Sequence, residues 1–180
     1  MIPIRLRAIL FATLISLLGV VNAAETATPD SSPGTETSVD VGGDVPKPHR
    51  ISDAELKTLA RAEVDVSDPH DSTKKSVYAG APLIEVLKAA GLPLGIGMAG
   101  LRGLVTRTVV VDATDGYKVV FSLAELDSEL TGRTVLLADT KDGQPLSVSE
   151  GPFRIIVPDD KMGIRWVRQV STLTVRATAN

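Results

Sequence analysis

Gly151-Pro-Phe-Arg-Ile-Ile-Val-Pro-Asp-Asp-Lys-Met-Gly-Ile-Arg-Trp-Val-Arg-Gln-Val170 is the most informative stretch of the chain. Its first part, Phe153–Val157, is a short β-prone run closed by Pro158. Its second part gathers three cations, Lys161, Arg165 and Arg168, around Gly163 and Trp166, the only tryptophan. Guanidinium and ammonium groups beside backbone amides suit phosphate or another anion, with Gly163 allowing close approach. The same residues admit a purely architectural reading. In it Trp166 packs in the core with Val167 and Val170, and the cations pair with Asp159 and Asp160. Both readings stand at the level of sequence.

Working outward, Thr172–Arg176 and Thr134–Ala138 read as strands, the latter followed by an Asp142-Gly143 turn. Val105–Asp112 is the most β-prone run of the chain. Asp115-Gly116 then turns it into a strand over Tyr117–Phe121. Ser122-Leu-Ala-Glu125 is a capping box opening a short helix to about Ser128, and Ser52-Asp-Ala-Glu55 is another, opening a helix with Leu56 and Leu59. Pro82 fits the first position of a third helix. Leu83, Ile84, Val86, Leu87 and Ala90 make its apolar face, and Gly91 its stop.

Val39–Val45 alternates and is expected to open the domain as an edge strand, and Ala62–Val66 to be half-buried. Ser67–Ser76 is expected to be a loop, Val77–Ala79 a short strand, and Leu92–Gly103 a glycine-rich connection. The tally is seven or eight short strands and about three short helices. Strands do not alternate with long helices, so the pattern predicts a single mixed α/β (α+β) domain rather than a doubly wound parallel sheet.

The chain has 180 residues, with 19 Lys and Arg against 22 Asp and Glu, two His, and no Cys. That balance leaves no electrostatic footprint for nucleic acid. The missing cysteine excludes disulfides, thiolate metal sites, a cysteine nucleophile and a lipidated N-terminal Cys. Arg5 and Arg7 precede an apolar run, Ala8–Val21, and small residues at Val21-Asn-Ala23. This predicts a signal peptide over 1–23, cleaved after Ala23, and a periplasmic or secreted protein. The run is too short to span a membrane, so no span is expected in the mature form. Residues 24–38 are acidic and rich in Ser, Thr and Pro, and read as a disordered linker. The folded domain is assigned to 39–180.

Several motifs fail on context. Gly95-Ile-Gly97-Met-Ala-Gly100 matches a dinucleotide fingerprint, but a helix ends at Gly91 where a strand is required, and Gly103 disfavours a helix afterwards. We read it as a connection and reject a nicotinamide site. His49 and His70 lack zinc spacing. Asp65, Asp68, His70 and Asp71 read as a solvated acidic loop, so no metal site is assigned. Ser147, Ser149 and Ser171 occupy no nucleophile elbow.

Four ordered stretches together resemble a known family. They are Tyr78-Ala-Gly-Ala-Pro-Leu-Ile-Glu-Val-Leu87, Asp115-Gly-Tyr-Lys-Val-Val-Phe-Ser-Leu-Ala-Glu-Leu126, Arg133-Thr-Val-Leu-Leu-Ala138 and the 151–170 stretch. Over most of 39–177 the chain resembles the oxidoreductase molybdopterin-binding domain, the sulfite-oxidase-like fold. The resemblance implies a molybdenum–pterin cofactor with a cysteine thiolate on the metal, in the loop after the second strand. Here that loop is Ser67-Asp-Pro-His-Asp71, and a thiolate is unavailable. Asp68 or His70 is the harder ligand such a loop offers.

By the same resemblance Tyr117, Lys161, Arg165, Trp166 and His70 are the candidate cofactor-binding residues. Lys161 and Arg165 would face an anionic ligand, and Tyr117 would donate from the pocket rim. The export signal lacks twin arginines, and such cofactors are inserted before folded export. The expectation is therefore a cofactor-free binding or accessory module, with an anionic small molecule or a periplasmic protein as partner. The alternative is a small molybdopterin-dependent oxidoreductase with non-cysteine metal ligation. Whether the chain is an enzyme is left open by the sequence.

Overall fold

The computed structural model describes residues 37–68, 71–94 and 98–177. Two five-stranded sheets enclose one apolar core. The first runs β2(His49–Ser52)-β1(Ser38–Gly43)-β10(Val170–Ala177)-β5(Arg107–Ala113)-β6(Lys118–Ser122). Its one parallel pair is β1 with β10, in the register Val41 to Leu173. Alternation decides which face is buried: Val39, Val41, Val109, Val111, Val119, Phe121, Leu173 and Val175 point into the core. Asp40, Arg50 and Lys118 stay on the outer face, where Arg50 grips Asp40 through two hydrogen bonds. That pairing, with its charge, outweighs slight desolvation and holds the Asp40 carboxyl below the usual carboxylate range.

The second sheet runs β3(Ala62–Asp68)-β4(Asp71–Pro82)-β7(Leu136–Lys141)-β8(Gln144–Pro145), with β9(Arg154–Ile156) also on β7. Residues Leu136 to Asp139 are all buried, as expected of a strand covered on both faces. Helix α2(Leu83–Ala89) packs Leu83, Ile84, Val86 and Leu87 inward and stops at Gly91, whose φ of +83° suits a left-handed C′ position. The Asp142-Gly143 turn has both φ values positive, the geometry of a two-residue hairpin. Arg61 clamps buried Asp139 at 2.8 and 2.7 Å, tying the chain just before β3 to β7.

The 151–170 stretch joins the two sheets. Phe153–Ile156 lies in and beside β9, and Val170 opens β10. Backbone bonds Ile155 N–H to Val167 O (2.8 Å) and Val170 N–H to Phe153 O (2.9 Å) fold the stretch back on itself. Gln169, in the returning arm, takes φ 49°.

Several expectations need correction. Ten strands and five short α-helices are present among the described residues, plus a 3-10 turn at Gly163–Arg165, where seven or eight strands and about three helices were expected. The first strand is not an edge; β2 covers it. Of the expected loop at 67–76, residues 67, 68 and 71–76 lie in the paired strands β3 and β4, because pairing from Val66–Ser76 to Ala62–Gly80 carries polar residues into the ladder.

Met98–Val105 forms helix α3 despite Gly100 and Gly103. Burial of Leu104 overrides the propensity, and Gly103 leaves room for the Arg107 guanidinium, 2.9 Å from where a Cβ would sit. The fingerprint glycines 95–97 lie outside the described residues. The element before them is α2, so a strand is still missing there. Of the two capping boxes, Ser122 and Glu125 form both bonds before α4(Leu123–Leu126). At α1(Asp53–Leu56) Ser52 caps Glu55 N–H, but the Glu55 carboxylate turns to His49 Nε2 at 2.8 and 2.9 Å.

Gly80 of β4 is set against β7 so closely that a Cβ would lie 2.2 Å from Leu137 O and 2.5 Å from Ala138 Cα. Gly80→Ala is expected to cost about 1–3 kcal/mol, seen as a fall of several degrees in Tm by circular dichroism. An unchanged Tm would show that β4 and β7 separate without cost.

Candidate functional site

A cleft of about 210 Å³ opens where the β5–β6 turn meets the 151–170 stretch. The turn supplies one wall. Ala113 N–H bonds Tyr117 O at 2.9 Å, Gly116 takes φ +86°, and Asp115 Oδ1 accepts from Tyr117 N–H at 2.9 Å. This holds Tyr117 at the mouth, 49% exposed, where its hydroxyl donates to Ile164 O on the opposite wall at 2.7 Å. Thr114 N–H bonds Gln169 O at 3.0 Å and fixes the spacing of the walls.

The opposite wall holds Gly163, Ile164, Trp166 and Arg168. Trp166 is 5% exposed and donates Nε1–H to Val157 O at 2.9 Å. Its ring meets Tyr78 edge-on, 6.1 Å between centroids. Trp166 is thus both a core residue and a cleft wall, and the two sequence readings of it are not exclusive.

Arg154 forms the floor and is 6% exposed. Its guanidinium lies 5.6 Å from the Tyr78 ring and 5.5 Å from the Trp166 ring. Nη1–H donates to Tyr78 Oη at 3.0 Å and to the Glu150 carboxylate. Nε is buried with no hydrogen-bond partner. Lys141 stands on the other flank of Tyr78, with Nζ 5.3 Å from the ring centroid and 3.9 Å from Glu150. Burial alone would push the Lys141 ammonium down. The Tyr78 hydroxyl and the Glu150 charge override it and hold the ammonium above its ordinary value.

The sequence candidates divide. Tyr117 and Trp166 line the cleft. Arg165 does not. Its Nε and Nη2 grip Asp160 at 2.8 and 2.6 Å, and Nη1 reaches Glu125 at 2.9 Å. The guanidinium also covers Phe121 at 5.2 Å. Glu125 caps α4 with its other oxygen, at 2.8 Å from Ser122 N, so Arg165 ties the 3-10 turn to α4. The Asp160 bonds, against burial and with help from Glu125, keep this guanidinium above its already high pKa. Lys161 is exposed on the turn before Gly163, off the cleft lining. His70 lies outside the described residues.

Sequence reasoning missed Arg154 as a residue of the cleft lining and assigned Arg168 only a share in a cation cluster. The available signal for Arg154 was a charge inside the apolar run Phe153–Val157, where an unpaired guanidinium is costly. Among the described residues no group of three His, Cys, Asp or Glu is placed to hold a metal ion.

The family model described as the oxidoreductase molybdopterin binding domain matches residues 25–180. Among solved structures the chain is similar to the sulfane dehydrogenase SoxCD from Paracoccus pantotrophus, with TM-score 0.59 and 18% identity. The match covers 78% of this chain and 39% of that chain, and at this identity it is a likeness of fold. No curated protein matches the chain significantly.

Arg165→Ala strips Asp160, whose side chain is 17% exposed, of its counter-charge. A loss of about 1–3 kcal/mol is expected, read as a lower Tm, with Arg165→Lys recovering part of it. Equal melting of all three proteins would show that the ion pairs contribute nothing.

Proposed function

The chain belongs to the oxidoreductase molybdopterin-binding domain family, and from that premise we propose that it is an exported binding or accessory module whose cleft takes a small anion. One observation carries the reading. The chain keeps a cleft with a buried, incompletely partnered Arg154 but has no cysteine to place a thiolate on a metal.

Molybdenum bound through a pterin would supply two-electron redox chemistry, and its family ligation needs a soft thiolate. The donor set of this chain does not fit that centre. The cleft volume is also below the about 300–1,000 Å³ usual for cofactor-sized ligands. What the residues do fit is anion capture. Arg154 offers a charge-assisted donor from the floor, Arg168 adds a cation at the edge, Trp166 offers a flat face, and Tyr117 bridges the mouth to Ile164. Export is supported by Arg5, Arg7, the Ala8–Val21 run and Val21-Asn-Ala23, and by a family match beginning at residue 25. No helix among the described residues is long and apolar enough to cross a membrane. A periplasmic protein remains the proposed partner class beside the small anion.

The test is metal and pterin analysis of protein purified from the native host. Neither molybdenum nor pterin fluorescence is expected. Stoichiometric molybdenum with a pterin signature would overturn the reading in favour of an oxidoreductase with non-cysteine ligation.

A further inference from the structure

β3 ends the second sheet, paired with β4 on one side and with no described strand on the other. It is the longest of the strands that end a sheet, seven residues against five in β6, four in β2 and two in β8. Which of its backbone groups point outward follows from two bonds one strand in. Val77 of β4 donates its N–H to Asp142 Oδ1 at 2.8 Å, and its C=O accepts from Asp142 N–H at 2.7 Å. Both groups are thus turned away from Asp65, the residue opposite Val77 on β3. Opposed residues of an antiparallel ladder exchange two bonds or none, in alternation. Val64 and Val66 are therefore bonded to β4, and Glu63, Asp65 and Ser67 present N–H and C=O to the open edge.

The side chains add two conditions. On one face Ala62 and Val64 pack against the core yet are only partly covered. On the other, Glu63 and Asp65 are exposed and make no hydrogen bond or ion pair to described residues. Arg61 feels the Glu63 charge, but its donors are committed to Asp139. Lys75, opposite Ser67, is the cation that β4 adds to this face. Two carboxylates against one ammonium leave the edge negative.

A second copy of β3 does not suit such an edge. Antiparallel pairing centred on Val64 sets Glu63 opposite Asp65, and pairing centred on Asp65 sets that residue opposite itself. Like charges directly opposite are unfavourable. Edge charge of this kind blocks self-pairing and at the same time favours a strand of the opposite sign.

We infer that β3 is a docking edge for an extended segment of a partner protein in which basic and apolar residues alternate, added as a further strand with its apolar side beside Val64 and its cations beside Glu63 and Asp65. β3 supplies none of the described residues that line the cleft, so the inference goes beyond the binding reading and is tested apart from it.

The test is residue-resolved amide hydrogen exchange on the full chain. The probe is a capped heptapeptide of alternating lysine and valine, and its glutamate–valine counterpart is the control. In the free protein the Glu63, Asp65 and Ser67 amides are expected to exchange fast, and those of Val64 and Val66 slowly. The lysine peptide is expected to slow the three edge amides saturably, by roughly tenfold or more. The glutamate peptide is expected to leave them unchanged. Asp65→Pro removes an outward N–H and no bond to β4, so it is expected to keep the circular dichroism spectrum and lose the peptide effect. Should that variant not fold, Glu63→Gln with Asp65→Asn leaves the backbone intact and is expected to weaken the lysine peptide by roughly fivefold.

Edge amides already slow in the free protein, or protection that rises with protein concentration alone, overturns the inference. So does equal protection by both peptides, no saturable protection by the lysine peptide, or undiminished protection in a folded variant.

Discussion

The reversal of the chain between Glu150 and Val170 is the constraint on which the molecule depends. Three backbone bonds close it: Ile155 to Val167, Val170 to Phe153, and Gln169 to Glu150. Its first arm is β9 in one sheet and its second runs into β10 in the other. The register of β9 on β7 and of β10 on β1 and β5 is therefore set by one segment. A slip of one residue would turn Arg154 from the cleft floor to the opposite face, because strand side chains alternate. Trp166 would at the same time lose Val157 O as the acceptor for its indole N–H.

Within that frame two arginines eleven positions apart have opposite fates. Arg165 spends its donors on Asp160 and Glu125 and behaves as a clamp. Arg154 is more deeply buried yet less fully bonded, with Glu150, Tyr78 and two aromatic faces as its compensation. A buried donor without an acceptor costs about 1–3 kcal/mol, and burying a guanidinium costs more unless it is paired. A fold under selection for stability alone would place an aliphatic residue between Phe153 and Ile155. Arg154 is therefore the costliest side chain of the cleft lining to bury.

Much of the architecture was legible before any coordinates. Ser122 and Glu125 read as a capping box because both partners are local, and they form one. Gly91 and the Asp142-Gly143 turn are local too, and hold. What failed was decided at long range. The polar residues before Val77 look like a loop until the pairing of β3 with β4 is known. The glycines of α3 look disruptive until Leu104 is buried and Arg107 fills the space beside Gly103. The cleft followed the same rule. Lys161 and Arg165 stood out as cations beside a tryptophan, yet which cation faces the cleft depends on where Asp160, Glu125 and Glu150 come to lie. Arg154 and Tyr117, 37 positions apart, become neighbours of one cleft only through the two-sheet topology.

The empty place in the composition acquires its meaning from this geometry. Zero cysteine is unremarkable in a small neutral domain, and by itself excludes only thiol chemistry. In a chain that belongs to the oxidoreductase molybdopterin-binding domain family it removes the one soft thiolate donor a protein can offer a metal. A fold does not carry its chemistry with it; the site does. Here the cleft brings together a buried guanidinium, a second cation, an indole face and a tyrosine across the mouth, and the chain has no thiolate to offer. That division is the physical ground of the proposed reading, in which recognition and redox are separable within one scaffold.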